Sequence, residues 1–265
     1  MRPTITLTTD FGTADGYAGE MKGVVLTRAP EVRIVDVTHR IPPGDVAAGA
    51  WALRRVWDRF PEDTVHLVVV DPGVGSDRRP MAAKIASRWF VGPDNGLLTH
   101  VLGQGDVADA RRLDPDAIGL EPLSDTFHGR DLFAPAAAHL VAGGSPGGLG
   151  SRMDAGSLVR LSAPKPERRP GPDGSEEVRG RIVHVDRFGN LITNVPSGWL
   201  PEPPVVAVGS HRLEDVGRSF AAAAPGAPVL IRGSGGTLEI CVRGGSAAET
   251  LGVERGASVR VKAAG

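Results

Sequence analysis

Short apolar runs alternate with amphipathic stretches along the first part of the chain. The runs TITLTT and VRIVDV are rich in Val, Ile and Thr, a composition typical of strands. Between them, apolar residues recur with helical spacing, as from Tyr17 to Val25. The run from Val68 to Val70 is apolar at every position, which favours a parallel strand covered on both faces. We therefore predict that residues 1–162 form an α/β domain with a mainly parallel sheet flanked by helices.

The same pattern gives approximate bounds for the individual elements of this domain. Pro, Gly and Asp residues separate the apolar segments and indicate the turns between them. Predicted strands cover residues 4–9, 32–37, 81–86 and 89–91, and predicted helices cover residues 17–25, 46–60, 97–102 and 132–141.

The chain changes character beyond residue 142, where Gly and Pro become frequent. Residues 163–177 (APKPERRPGPDGSEE) are polar and lack any hydrophobic period, which predicts a linker between domains. Beyond it, short apolar runs separated by turns predict a small β-rich domain, a barrel or a sandwich, over residues 178–265. Its predicted strands are residues 181–185, 191–194, 205–208, 229–232, 237–242 and 258–261.

Composition argues against several classes of partner. The 265 residues carry 30 Lys and Arg against 31 Asp and Glu, so no excess of positive charge favours nucleic acid or an anionic membrane. No apolar run approaches the roughly 20 residues that a membrane helix needs. The single cysteine, Cys241, excludes an intrachain disulfide, and the N-terminal segment lacks a hydrophobic signal. These features predict a cytoplasmic protein whose partners are small molecules or its own copies.

The stretch from Val68 to Pro80, VVVDPGVGSDRRP, is the first candidate for chemistry. Asp71 follows the predicted strand directly, and ligands of open α/β sheets bind beyond the carboxyl ends of strands. The Pro and Gly residues after it allow a tight turn, so Arg78 can fold back over the carboxylate seven positions earlier. The alternative is a strand-capping Asp followed by solvated arginines, and this stretch alone leaves both open.

Three further polar residues of the first domain are candidates. Asp10 ends the first predicted strand, so a second carboxylate lies at a strand end. Asp15 either caps the following helix or faces the same cleft as Asp10. His128 precedes the helix at residues 132–141, and imidazole is the neutral-pH proton acceptor with an ordinary pKa of about 6.5. A lone histidine is more often a surface or core residue than a catalyst.

The second domain carries a different set of candidates. The turn DRFGN places Phe188 between Asp186 and Asn190. An aromatic ring beside an amide fits a planar ligand, because the ring stacks and the amide pairs with the ligand edge. The blander reading is a hairpin whose Phe188 packs inward. Phe220 and Ser234 complete the set.

Six motifs occur in one order: TTDFGTADGYAGEMKG, DPGVGSDRRP, GPDNGLLT, TFHGRD, DRFGNLITN and GSGGTLEICVRGGSAAE. Together they resemble the S-adenosyl-L-methionine hydroxide adenosyltransferase family, the hydrolytic relatives of the fluorinating and chlorinating enzymes. The resemblance runs from about Thr4 to the C-terminus. It implies hydrolysis of S-adenosyl-L-methionine to adenosine and L-methionine, a C-terminal β-barrel, and a homotrimer with sites between subunits. It implies neither a cofactor nor a metal.

The resemblance also assigns roles to the candidate residues. Asp71, Arg78 and His128 match the water-activating triad of the family. The remaining assignments concern substrate: Asp10 for the ribose diol; Phe188 and Asn190 for adenine, with Phe220 nearby; Asp15, Asp186 and Ser234 for the methionine portion.

Elementary chemistry supports a metal-free hydrolysis. Attack at the ribose C5′ displaces a neutral thioether from a sulfonium, so charge is lost in the transition state and removal of bulk water lowers the barrier. In this scheme Arg78 favours a partly deprotonated water, His128 accepts its proton, and Asp71 orients Arg78 or the water.

Alternatives remain at the level of sequence. Halogenating relatives carry tyrosine at the position of His128, whereas Gly129 is shared with the chlorinating ones, so a halogenase is one alternative. A metal phosphoesterase using Asp10, Asp71, Asn95 and His128 is another, and a non-catalytic adenosine or S-adenosylmethionine binding protein is a third. Many relatives also carry an aromatic where this chain has Gly44, which predicts a thinner ligand wall.

Overall fold

The computed structural model describes residues 2–118, 123–162, 164–171 and 175–263. The chain divides into two compact units, Met1–Leu161 and Ser162–Gly265. Each unit has its own sheet and its own hydrophobic core. No helix in the described ranges is long and apolar enough to cross a membrane.

The first unit contains a six-stranded sheet. The strands are β1 (Thr4–Thr9), β2 (Arg33–Thr38), β3 (Val65–Val69), β4 (Pro80–Ile85), β5 (Arg88–Pro93) and β6 (Val107–Arg112), in the order β2-β1-β3-β5-β4-β6. Pairs β1–β2, β1–β3 and β3–β5 are parallel, whereas β4 pairs antiparallel with both β5 and β6. The sheet is therefore mixed, and the prediction of a mainly parallel sheet is corrected. The physical reason is the two-residue turn at Ala86 and Ser87, whose φ values of 45° and 65° form a tight hairpin that only antiparallel strands can share.

Helices cover both faces of this sheet. They are α1 (Tyr17–Arg28), α2 (Val46–Arg54), α3 (Pro115–Ile118) and α4 (Ala134–Val141). In β3, Leu67 and Val69 belong to one core and Val68 to the other, which explains why the whole strand is apolar. The carboxyl end of β3, where Asp71 follows, is thus held rigidly between two packed layers.

Several local predictions need correction. Residues 97–102 form consecutive turns instead of a helix, and β6 lies in a stretch for which no strand was predicted. The helix predicted over residues 46–60 ends at Arg54, and Trp57–Arg59 forms a separate 3₁₀ turn. The helix predicted at 132–141 begins earlier, with a wide π-helical turn at Gly129–Phe133. These features depend on tertiary packing, so the hydrophobic periodicity of the sequence does not predict them.

The second unit is built on a nine-stranded sheet. The elements are β7 (Glu167–Pro170), β8 (Glu176–Val185), β9 (Leu191–Pro196), β10 (Pro204–Val208), β11 (His211–Leu213), β12 (Val216–Gly217), β13 (Pro228–Arg232), β14 (Thr237–Val242), α5 (Ala247–Leu251) and β15 (Ser258–Ala263). The pairing path runs β11-β10-β15-β8-β9-β14-β13-β12, with β7 joined to β8. All pairs are antiparallel except β12 with β13. Closure of this sheet into a barrel stays a prediction.

Residues 167–170 and 176–177 of the segment predicted as a linker are strand. Strand β7 pairs with the beginning of β8, and Arg168 bridges to Glu176 across the pair at 2.9 Å. Charged side chains and Pro170 on an outer strand are the usual protection of a sheet edge, and they gave this segment its linker-like composition. Ala163 and residues 172–174 of the predicted linker lie outside the described residues.

Candidate active site

Arg78 folds back onto Asp71 and donates hydrogen bonds to its carboxylate from two nitrogens. Nε lies 3.0 and 2.9 Å from the two carboxylate oxygens, and Nη2 lies 2.6 Å from Oδ2. Only 9% of the Arg78 side chain and 6% of the Asp71 side chain are exposed, so the pair is screened from water. A fork of this kind fixes the plane of the guanidinium as well as its position.

Two neighbours set where this fork lies. The guanidinium carbon of Arg78 stands 5.2 Å from the ring centre of Phe133, a fully buried residue of the π-helical turn. A Cβ atom at Gly75, whose φ is +76°, would lie 2.8 Å from the carbonyl oxygen of Asp125. The turn after Asp71 can therefore approach the Asp125 segment only because residue 75 is glycine.

His128 completes a three-residue cluster. Its Nδ1 lies 2.5 Å from Nη2 of Arg78, although fifty positions separate the two residues. His128 directly precedes the π-helical turn at Gly129–Phe133, and such turns occur frequently at functional sites. The structure thus brings Asp71, Arg78 and His128 together.

The contact with Arg78 determines the state of the imidazole. A guanidinium can only donate, so Nδ1 of His128 must accept, and the proton of the neutral ring lies on Nε2. Burial, together with the charge of Arg78, lowers the pKa of His128 below 6.5, although Asp71, Asp125 and Asp131 act in the opposite direction. His128 is therefore neutral at pH 7 and presents Nε2–H as a donor.

Asp10 lies at the carboxyl end of β1 and is partly buried. Its Oδ2 accepts a hydrogen bond from the backbone N–H of Gly44 at 2.8 Å. Gly44 adopts a φ of +71°, and a Cβ there would lie 3.5 Å from Pro72, beside the Asp71 turn. The Gly44 loop therefore bonds to Asp10 and lies beside the Asp71 turn. A glycine suits the left-handed backbone of this loop.

Asp15 lies in an exposed bend before α1. The N-cap of α1 is Gly16, with no side-chain cap, so the interpretation of Asp15 as a helix cap is wrong. The structure records no hydrogen bond that joins Asp15 to the cluster around Asp71 within the described ranges.

Three aromatic residues that the sequence analysis did not select lie beside these acids. Phe11, Tyr17 and Phe127 meet edge to face, with ring centres 5.3 to 6.1 Å apart. Two of them adjoin candidate residues in sequence, Phe11 after Asp10 and Phe127 before His128. This proximity in sequence was the signal from which Phe11 and Phe127 could have been selected. By packing together, the three rings link the Asp10 turn to the His128 turn.

In the second unit, Asp186 organises the turn that carries Phe188. Its Oδ1 accepts the backbone N–H groups of Phe188 and Asn190, both at 2.9 Å, and its Oδ2 accepts Nδ2 of Asn190 at 2.8 Å. Phe188 is 74% exposed, so the interpretation that it packs inward is wrong. The turn holds an aromatic ring out toward solvent.

Ser234 and Phe220 lie elsewhere in the second unit. Ser234 occupies the exposed turn between β13 and β14. Because Thr237 pairs with Pro196 and Ile240 with Leu191, this turn lies at the other end of β9 and β14 from the Phe188 turn. Phe220 begins a 3₁₀ turn and is 48% exposed.

Metal ligands are not assembled in the described part of the chain. No group of three His, Cys, Asp or Glu side chains able to hold a metal ion occurs there. Asn95, a residue of the phosphoesterase alternative, donates Nδ2 to the Val70 carbonyl at 2.8 Å and so holds the loop to β3. This geometry gives the metal phosphoesterase no support.

Comparison with known proteins identifies the class. Residues 5–150 match the model of the SAM hydroxide adenosyltransferase N-terminal domain, and residues 180–260 match that of the C-terminal domain. The chain belongs to the SAM hydroxide adenosyltransferase family.

Individual relatives agree with this assignment. The chain is 42% identical to a (R)-S-adenosyl-L-methionine hydrolase of Thermus thermophilus, covering 98% of this chain and 100% of the relative. It is more distant from a fluorinase of an Actinoplanes species, with 31% identity over 73% of this chain and 72% of the relative. Among solved structures, an uncharacterised conserved protein from Thermotoga maritima matches with a TM-score of 0.88 and 34% identity, covering 97% of this chain and 99% of that one.

Proposed function

We propose that this protein hydrolyses S-adenosyl-L-methionine to adenosine and L-methionine by attack of an activated water on the ribose C5′. The observation that carries the proposal is the Asp71–Arg78–His128 cluster in a chain of this family, in which the Asp71–Arg78 ion pair is screened from water and His128 is partly buried. The names of its hydrolase relatives support the same reaction.

The cluster is suited to holding hydroxide. Asp71 engages Nε and Nη2 of Arg78, whereas Nη1 makes no recorded hydrogen bond in the described ranges. Nη1 and Nε2–H of His128 are then two donors with no recorded acceptor in the described ranges, and we propose that one oxygen accepts from both. Donors without an acceptor favour hydroxide over water, because the negative charge strengthens both hydrogen bonds.

This arrangement refines the role of His128. Acceptance of a proton through Nε2 requires the other tautomer, in which Nδ1–H would face the donor Nη2 of Arg78. We therefore favour a step in which water loses its proton to solvent and the nucleophile reacts as hydroxide. An in-line displacement forms the C5′–O bond and breaks the C5′–S bond, and the charges of hydroxide and sulfonium cancel. The thioether leaves as a neutral group, so neither metal nor cofactor is required.

The substrate assignments follow the family resemblance. Asp10 would accept the two ribose hydroxyl protons, and each carboxylate oxygen can accept more than one hydrogen bond, so the Gly44 contact is compatible. Phe188 would stack on adenine, with Asn190 at its edge and Phe220 nearby. Asp15 and Ser234 would hold the methionine portion. Asp186 is already engaged by three donors of its own turn, so we assign it to holding Phe188 in place.

The assembly and location also remain proposals. From the resemblance we propose a homotrimer with sites between subunits, a C-terminal sheet closed as a β-barrel, and residues 1–162 and 178–265 as the two domains. The exposed Phe188 ring supports an aromatic contact with a ligand or another subunit. The cytoplasmic location predicted from cysteine content stands on the sequence alone.

The test is product analysis in water enriched with oxygen-18. Purified protein is incubated with S-adenosyl-L-methionine, and products are separated by chromatography with mass detection. The proposal expects labelled adenosine and unlabelled methionine, since the solvent oxygen becomes the 5′-hydroxyl. Adenosine production no higher than that of His128→Ala would overturn it. A chlorinated nucleoside on addition of chloride would instead indicate a halogenase.

A further inference from the structure

His39, a residue outside the proposed catalytic cluster, contacts the Asp10 turn at two points. Its Nδ1 lies 2.8 Å from Oγ1 of Thr9, and its backbone carbonyl accepts the N–H of Gly12 at 2.7 Å. Thr9 and Gly12 stand on either side of Asp10 in the chain. His39 is 6% exposed and Thr9 is fully buried, so neither contact competes with solvent.

A bulge between neighbouring strands places His39 beside this turn. Strands β1 and β2 run parallel, and Leu7 pairs with Asp36 whereas Thr8 pairs with Thr38. One residue of β2, Val37, is therefore passed over in the register. Bulges redirect the side chains that follow them, and here the residue after β2 lies against the last residue of β1.

The proton arrangement of this cluster follows from its neighbours. Nε2 of His39 lies 3.1 Å from Oδ1 of Asp36, which is an ion-pair distance without the alignment of a hydrogen bond. Asp36 also accepts from Lys22 Nζ at 2.6 Å. Burial acts to raise the pKa of Asp36, but the neighbouring Lys22 and His39 lower it, so the group is a carboxylate. In the neutral imidazole, a carboxylate this close to Nε2 favours the proton on that nitrogen and leaves Nδ1 as an acceptor.

The Thr9 hydroxyl connects His39 to the backbone of the Asp10 turn through hydrogen bonds. With Nδ1 as acceptor, Thr9 donates its hydroxyl proton to His39, and its oxygen lone pairs then face the chain. That oxygen accepts the backbone N–H of Phe11 at 3.3 Å. Together with the Gly12 contact, this fixes the backbone immediately before and after Asp10.

We propose that His39 is a positioning residue for the Asp10 carboxylate, acting through the hydroxyl of Thr9. The inference rests on the proposed function, in which Asp10 binds the ribose diol. His39 touches neither substrate nor the reacting atoms. Its loss should weaken binding of the nucleoside more than it slows the chemical step, since the Asp71–Arg78–His128 cluster contains none of these groups.

The same strand offers a matched control. Nδ1 of His66 lies 2.7 Å from Oγ1 of Thr6, and both residues are fully buried in the sheet. Thr6 lies three residues before Thr9 in β1, away from the Asp10 turn. His66→Leu therefore removes an equivalent buried Thr–His hydrogen bond without touching that turn.

The experiment compares His39→Leu, His39→Asn, Thr9→Val and His66→Leu in the full-length protein. KM and kcat for S-adenosyl-L-methionine, the Kd for adenosine by calorimetry, and the melting temperature are measured for each. An Asn side chain carries an oxygen near the position of Nδ1, so His39→Asn should keep the bond to Thr9 and rescue binding.

The inference expects His39→Leu and Thr9→Val each to raise KM and the adenosine Kd by about tenfold, the effect of one lost hydrogen bond, with kcat within about threefold. A double variant that combines His39→Leu with Thr9→Val should raise them no further. His66→Leu should lower the melting temperature with KM unchanged. Thr9→Val, which keeps the side-chain volume, provides the readout if His39→Leu does not fold.

Other results would overturn the positioning role of His39 or the proposed function. An unchanged KM and adenosine Kd in Thr9→Val, or fully additive effects in the double variant, would overturn the positioning role. If the wild-type protein binds adenosine without hydrolysing S-adenosyl-L-methionine, the proposed function fails, whereas the adenosine Kd still decides the role of His39. A wild-type protein that does neither overturns both.

Discussion

Nη2 of Arg78 lies 2.5 Å from Nδ1 of His128, and the same nitrogen donates to Asp71 at 2.6 Å. One guanidinium nitrogen therefore joins a carboxylate from one loop to an imidazole from another. Since the carboxylate and the imidazole nitrogen both accept, the arrangement requires a planar cation with several fixed N–H groups. This relationship underlies the first two predictions.

Replacement of Arg78 by Lys should reduce kcat by about two orders of magnitude while KM changes little. A single ammonium cannot bind Asp71 through two nitrogens, reach His128 and still offer a donor to the nucleophile. Steady-state kinetics with S-adenosyl-L-methionine measure this. Arg79→Lys is the control, because Arg79 bonds to Asp94 and the Ser157 carbonyl instead of the cluster. An unchanged kcat in Arg78→Lys would leave Asp71 and Arg78 with a purely structural role.

The pH dependence of the rate distinguishes hydroxide attack from general-base catalysis by His128. Burial and the Arg78 charge lower the pKa of His128, so the imidazole is already neutral above pH 7. A base with that pKa predicts a rate that is level from pH 7 to 9. The hydroxide mechanism predicts that kcat/KM continues to rise there, by about tenfold per pH unit until the bound water itself ionises. Circular dichroism at each pH checks that the fold is retained, and a level profile would restore the general-base role.

Acid should destabilise the first unit through His66. Burial, with a smaller contribution from the nearby charge of Arg88, lowers the pKa of His66 to about 4 in the folded state. In the unfolded chain the ordinary pKa is 6.5, so the unfolded state binds more protons at lower pH, and stability falls between pH 6.5 and pH 4. The loss approaches about 3 kcal/mol at pH 4. Urea unfolding at several pH values measures it, and His66→Leu should flatten this part of the curve. An equally steep curve in that variant would assign the effect to other groups.

Substitution of Gly75 by Ala should impair catalysis by moving the Asp71 turn. The new Cβ would lie 2.8 Å from the Asp125 carbonyl oxygen, so the turn must shift away from the His128 segment. Gly143→Ala is the matched control, since its φ of +84° imposes a similar backbone strain and its Cβ would meet no atom within 4 Å. Gly143→Ala should lose about 1 kcal/mol of stability and Gly75→Ala more, because of the added clash, but only Gly75→Ala should lower kcat. Equal kcat values in the two variants would contradict the proposal that Gly75 sets this approach.

Local features of the site could be predicted from sequence because they involve neighbours along the chain. Asp71 and Arg78 are seven positions apart in a glycine-rich turn, and the structure shows the predicted fold-back. The Phe188 turn was also recognisable, although its outward direction was not. Exposure of an apolar ring to water is unfavourable, so patterning favours a buried Phe188. Nothing in the local pattern showed that the Asp186 carboxylate holds the ring in an exposed position.

Other features escaped prediction because they depend on contacts distant in sequence. The bulge at Val37 that aligns His39 with Thr9 leaves no mark on hydrophobic periodicity. The π-helical turn at Gly129–Phe133 begins before the helix predicted at residues 132–141, and hydrophobic periodicity does not indicate it. The linker-like composition of residues 167–170 reflects an edge strand, whose polar side chains and proline resemble those of an unstructured segment.

Two compact blocks of different character, acids at the ends of two buried strands, and a glycine-rich turn able to return Arg78 to Asp71 can all be inferred from the amino-acid sequence. They follow from hydrophobic patterning and turn chemistry, which act over a few residues. The contact of His128 with the same guanidinium, and hence the nitrogen that carries its proton, depends on the folded structure. That contact spans fifty positions and depends on how Phe133 packs beneath Arg78 and how closely Gly75 lets two loops approach. Such distances are set by the packing of the whole unit, so no local pattern encodes them.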